Sequence, residues 1–186
     1  MSQFEYVSVA SALVYSFAIA RLLGGLPHTS TRSSGGAVVF IWNLTLILWA
    51  LSAWWIFWRF NQLPWSALSF LWAVGTPSLT YLMAAILLTD EPSRVASWQD
   101  HFFCIRRRFF GVLLVGGVHT SLMPWVFGAY PWFAPAPAHI AGSFTLAVAA
   151  LGLSSTSARL HVFIAGLMFL VMALGVFLVP AQLPAA

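Results

Sequence analysis

With 186 residues, 61% of them hydrophobic, 16% aromatic and only 6% charged, the chain has too few polar side chains to cover a water-facing surface. Soluble domains carry about 25% charge. This composition excludes a soluble globular domain and leaves an all-α, polytopic membrane helix bundle forming a single domain over residues 1–186. The net charge of +4 comes from scattered arginines with no lysine, so it reads as a topology signal and not as a nucleic-acid footprint.

The first apolar run covers about residues 4–26. Glu5 stands at its start and Arg21 near its end, the reverse of a secretory signal, so it reads as an uncleaved first span. Ser8, Ala12, Ser16, Ala20 and Gly24 recur every fourth residue and place small side chains on one helical stripe. Helices in lipid associate by close packing, so this stripe predicts a packing face, against either this bundle or a partner. Val7, Val14, Tyr15 and Phe17 lie off it.

A Ser/Thr/Gly-rich loop, PHTSTRSSGG, leads to span two at about 37–58. Asn43 there needs a partner across a helix interface. Trp49, Trp54, Trp55 and Trp58 suit an interfacial aromatic belt, with Arg59 reaching the headgroups beyond it. Span three, about 66–89, is interrupted by Gly75-Thr76-Pro77-Ser78. Pro77 cannot donate to the Ala73 carbonyl, which predicts a kink, with Thr76, Ser78 and Thr80 at hand to satisfy freed groups.

The one charged island runs from Asp90 to Gly111, DEPSRVASWQDHFFCIRRRFFG. It must lie outside the hydrocarbon, and it orients everything else. Asp90-Glu91-Pro92 is a helix-start signal, and Asp90 and Arg94 stand in the favourable i, i+4 order. Val95, Trp98, Phe102, Ile105 and Phe109 form an apolar stripe opposed by Arg94, Ser97, His101, Cys104 and Arg108. The pattern predicts an amphipathic interfacial helix over about 92–108 running into span four. Arg94, Arg106, Arg107 and Arg108 then form a basic cluster suited to anionic lipid headgroups.

Span four covers about 109–127, with a bend predicted at Pro124, which frees the Thr120 carbonyl. A Pro- and aromatic-rich connection leads to span five at about 140–155, and a tight turn leads to span six at about 160–179. An even number of spans puts both termini on one side. Of the eight arginines only Arg59 falls on the even-loop side; Arg21, Arg32, Arg94, Arg106, Arg107, Arg108 and Arg159 fall on the other. The positive-inside rule makes that side cytoplasmic and both termini periplasmic.

Phe4-Glu5-Tyr6-Val7-Ser8-Val9 at the start of span one and Leu22-Leu23-Gly24-Gly25-Leu26 at its end carry a resemblance. So do the Trp-rich end of span two, the run from Tyr81 to Glu91, and His101-Phe102-Phe103 followed by Arg106-Arg107-Arg108-Phe109-Phe110-Gly111. Together they resemble a family of small six-span bacterial membrane proteins. The resemblance implies a bacterial inner-membrane location and a six-span topology, and brings no activity with it.

Enzyme chemistry finds little here. No carboxylate pair or intramembrane carboxylate occurs, Cys104 is the single cysteine, no metal-ligand spacing is present, and a non-catalytic role is expected. Three readings compete. One is an accessory subunit packing against other membrane-protein subunits, in a photosynthetic or respiratory complex, with no cofactor required. A second is a small-solute transporter or channel, with Thr76, Ser78 and Thr120 forming a substrate site beside Pro77 and His119 at mid-depth. The third is a pigment or haem protein, with His119 ligating a chlorophyll-type magnesium or an iron. His119 and His161 differ in height by roughly 14 Å at ~1.5 Å per residue, too far to share one iron. The alternative for His119 is a neutral imidazole bonded to a hydroxyl or a backbone carbonyl.

Overall fold

The computed structural model describes residues 2–29, 36–61, 64–127 and 137–178, and among them the chain forms six α-helices and no strand. They are α1 (Gln3–Thr29), α2 (Ala37–Phe57), α3 (Ala67–Leu87), α4 (Trp98–Val126), α5 (Pro137–Ser154) and α6 (Ala158–Leu178). Five of them are long and apolar enough to cross a membrane, which makes this a membrane-embedded helical bundle. At ~1.5 Å per residue, the 29 residues of α4 reach about 43 Å and the 18 of α5 only about 27 Å. Arg32, the Arg59 side chain, residues 128–136 and the AQLPAA tail lie outside the described residues.

Local chemistry sets the helix starts. Ser2 and Glu5 cap α1 reciprocally, the Ser2 amide donating to Glu5 Oε2 at 2.7 Å and the Glu5 amide to Ser2 Oγ at 3.1 Å. Ser66 and Ser69 do the same for α3. The Ser97 hydroxyl accepts from the Asp100 amide and starts α4 at Trp98. Each bond satisfies a helix-terminal N–H that lipid could not.

Neighbouring helices in sequence run antiparallel. α2 sits centrally, touching α1, α3, α4 and α6. The main core gathers Trp42, Leu46, Met83, Leu87, Phe109 and Leu113 among others. A second, aromatic cluster of Phe4, Val7, Phe57, Ala73 and Phe127 closes the other end, where Trp54 stacks on Phe57. The tightest seam is α4 against α5. A Cβ on Gly142 would stand 2.8 Å from both the Gly117 carbonyl oxygen and the Ser121 amide nitrogen, so these backbones nearly touch.

Four local expectations change. The helix predicted over 92–108 begins only at Trp98; Pro92–Arg94 is a single 3-10 turn, and α4 then runs unbroken into span four. Its apolar stripe faces the bundle and not the lipid interface, because the stripe continues into α4's buried face: Trp98, Phe102 and Phe109 are buried in the main core. The Asp90–Arg94 pair does not form. Asp90 binds Arg21 at 2.7 Å, and Arg94 binds Glu91 at 2.7 Å, because the chain around Asp90 is not helical. Asn43 is fully buried, and neither its Oδ1 nor its Nδ2 finds a partner among the described residues.

Candidate functional site

The mid-depth polar residues come together on α3 and α4. His119 Nε2 donates to the Trp72 carbonyl at 3.0 Å, and Trp72 Nε1 donates back to the His119 carbonyl at 3.2 Å. The two rings stack 4.6 Å apart at 11°. The arrangement has an internal logic. Trp72 lies five residues before Pro77, and His119 five before Pro124. Each proline disturbs the carbonyls one turn back, and the two helices bind one another at those turns. Gly75 leaves the space: a Cβ there would stand 2.9 Å from His119 Nε2. His119 is therefore a hydrogen-bonded histidine clamping two proline-containing helices. Trp72 was not legible as its partner, although the matched offset from two prolines is a signal that could have found it.

The other candidate solute-site residues divide. Thr76 and Thr120 line a cavity with His119, Thr80, Gly116 and Trp49, but its volume is about 10 Å³, room for one water molecule at most. Ser78 is exposed on the outside of α3, its hydroxyl donating to the Val74 carbonyl at 2.8 Å. Thr80 donates to the Thr76 carbonyl at 2.9 Å, so these hydroxyls serve carbonyls other than the Ala73 carbonyl that Pro77 frees. A larger open groove of about 520 Å³ lies at the other end of the bundle, between Tyr6, Val7, Trp65 and Phe70. Among the described residues no three His, Cys, Asp or Glu side chains converge.

At the arginine-bearing end, two helix C-termini receive an arginine and a histidine each, always from other helices. Below α3, Arg21 Nη2 donates to the Leu88 carbonyl at 3.0 Å while Nη1 holds Asp90, and His101 Nε2 donates to the Leu87 carbonyl at 3.1 Å. Below α5, Arg106 Nη1 and His161 Nε2 both donate to the Ser155 carbonyl. Terminal carbonyls carry the negative end of the helix dipole, so cations belong there. Arg106 is only 8% exposed and meets no carboxylate among the described residues; its charge is met by the α5 terminus and by the Phe103 ring at 5.9 Å. His161 is fully buried, packed by Phe102, Phe103 and Phe110.

These caps redraw the basic cluster. Arg106 turns inward, away from any headgroup, while Arg94 pairs with Glu91 at 2.7 Å and stays exposed. Arg107, Arg108 and Arg159 are exposed.

The small-residue stripe of α1 is not the face on which the bundle closes. α1 packs inward through Phe4, Val7, Ser11, Tyr15, Ala18 and Leu22. Ser8 and Ala12 sit half-buried at the edge of that face, and Ser16, Ala20 and Gly24 are exposed. A Cβ on Gly24 would meet nothing within 4 Å, and the Ser16 hydroxyl folds back onto the Ala12 carbonyl at 2.8 Å. Comparison with protein families, curated proteins and solved structures finds no match to this chain.

Proposed function

We propose that this chain is a non-catalytic accessory subunit that packs through the outer face of α1 against another membrane protein, within a photosynthetic or respiratory complex of a bacterial inner membrane. The carrying observation is the outward position of Ser16, Ala20 and Gly24. Facing lipid alone, large apolar side chains serve as well as small ones. A smooth, shallow stripe is what a second helix needs for close approach, and the α4–α5 seam uses the same device inside the bundle. Size favours this reading over a transporter, since the mid-depth cavity takes no more than a water. The engaged Nε2 of His119 favours it over a pigment site. The proposal includes six crossings with both termini periplasmic, α5 being the short one, and membership of the six-span family that the sequence resembles.

The test is co-purification in mild detergent followed by mass spectrometry. The native chain is expected to bring a stoichiometric partner, and the Ser16→Leu/Ala20→Leu variant is expected to fold as a monomer and lose it. A native chain that emerges alone overturns the proposal.

A further inference from the structure

We infer that the mid-depth cavity is a binding site for one water molecule, hydrogen-bonded by Thr76 of α3, Thr120 of α4 and the Trp49 indole of α2. The hydroxyls carry the argument. Six threonines lie in the described helices. Four of them, Thr29, Thr45, Thr80 and Thr145, fold their hydroxyls back onto the carbonyl one turn earlier, at 2.8–3.1 Å. A hydroxyl among apolar neighbours satisfies itself in this way. Thr76 and Thr120 do not: neither hydroxyl makes a hydrogen bond among the described residues, and these are two of the residues that line the cavity. At Thr76 the reason is local. The carbonyl one turn earlier belongs to Trp72 and already receives His119 Nε2 at 3.0 Å. On α4, Pro124 has no N–H to offer the Thr120 carbonyl. Trp49 adds a third group. It is buried against the same cavity, and its indole N–H makes no hydrogen bond among the described residues. A water needs about 10–15 Å³ and two to four polar partners. The cavity offers about 10 Å³ and these three. The water accepts from the indole N–H and gives its two protons to the hydroxyl oxygens, each of which both donates and accepts. It therefore joins α2, α3 and α4 beside the Trp72–His119 clamp.

The test is thermal melting of the full chain in detergent. Valine is close to threonine in shape but lacks the hydroxyl, so it removes a partner of the water with little change in packing. Thr76→Val and Thr120→Val are each expected to lower the melting temperature by about 2–4 °C, the effect of one hydrogen bond in a chain of this length. The double variant is expected to fall no further than the lower of the two, because either change already releases the water. Ser11→Ala is the control. Its hydroxyl is buried without a partner and is not among the residues around this cavity, so removing it should leave melting unchanged or raise it. The water is read directly through the Trp49 indole. That N–H resonance, assigned with Trp49→Phe, is expected to show magnetic cross-relaxation with water in the wild type and to lose it in the double variant. Single variants that melt like Ser11→Ala mean a dry cavity, and additive losses mean that each hydroxyl has its own direct bond. Either result overturns the proposal, as does a Trp49 indole with no water signal or with one that survives in the double variant.

Discussion

The α4–α5 seam offers the sharpest test of how this bundle is held. In Gly142→Ala the new methyl would lie 2.8 Å from the Gly117 carbonyl oxygen and the Ser121 amide nitrogen, and against the Ser121 hydroxyl. Ordinary contact needs about 3.4 Å, so the two helices must separate by about 0.6 Å along that line; radial gaps of this size forfeit about a quarter or more of each dispersion contact. The separation also loosens the Gly117–Leu146 contact, where a Cβ would already stand 2.9 Å from Leu146. Overpacking of this kind costs about 1–3 kcal/mol. For a chain of this length each kcal/mol moves the melting temperature by about 2–4 °C, so a fall of about 2–12 °C is expected in detergent, read by size-exclusion after heating. Ser121→Gly on the same background removes the hydroxyl but leaves the backbone atoms, and should restore only part of the loss. Gly24→Ala and Gly166→Ala, where a Cβ meets nothing within 4 Å, should melt no lower than the wild type. A Gly142→Ala protein as stable as the Gly166→Ala control would refute close backbone contact as the basis of the seam.

Arg106→Met removes the charged bond to the Ser155 carbonyl and should destabilise by about 2 kcal/mol, since bonds to charged groups contribute about 1.5–3; a neutral result by thermal melting would show that α5 does not need its cap. Asn43→Leu should be neutral or stabilising, because it removes two buried polar atoms that have no partner, and a clear loss of stability would reveal a bond absent from this account. Cys104, exposed and the single cysteine, should react with a membrane-impermeant maleimide only after cells are permeabilised; labelling in intact cells would reverse the proposed orientation.

Composition and the positions of charge determined that this is a membrane helix bundle, and where five of its long helices lie, because lipid forces every apolar run of this length to satisfy its own backbone. Pro77 and Pro124 act within a turn of themselves, so their positions are legible locally, whereas the start signal read at Asp90-Glu91-Pro92 gives only a 3-10 turn and α4 begins after Ser97. What each face touches was decided only by tertiary structure. In water an amphipathic stripe announces the inward face; in lipid both faces of a helix are apolar, and periodicity no longer tells core from surroundings. That is why the Ser8–Gly24 stripe of α1 could be read as a packing face but not as an outward one. It is also why the α4 stripe from Trp98 to Phe109 was placed at the interface when it lines the core. The arginines show the same limit. Counting them by loop predicts orientation, but Arg21 and Arg106 are spent on helix termini from other parts of the chain, over sequence separations of 67 and 49 residues. No local pattern marks an arginine as a cap for a helix it does not precede, so only the folded bundle separates the arginines that cap helix termini from those left exposed.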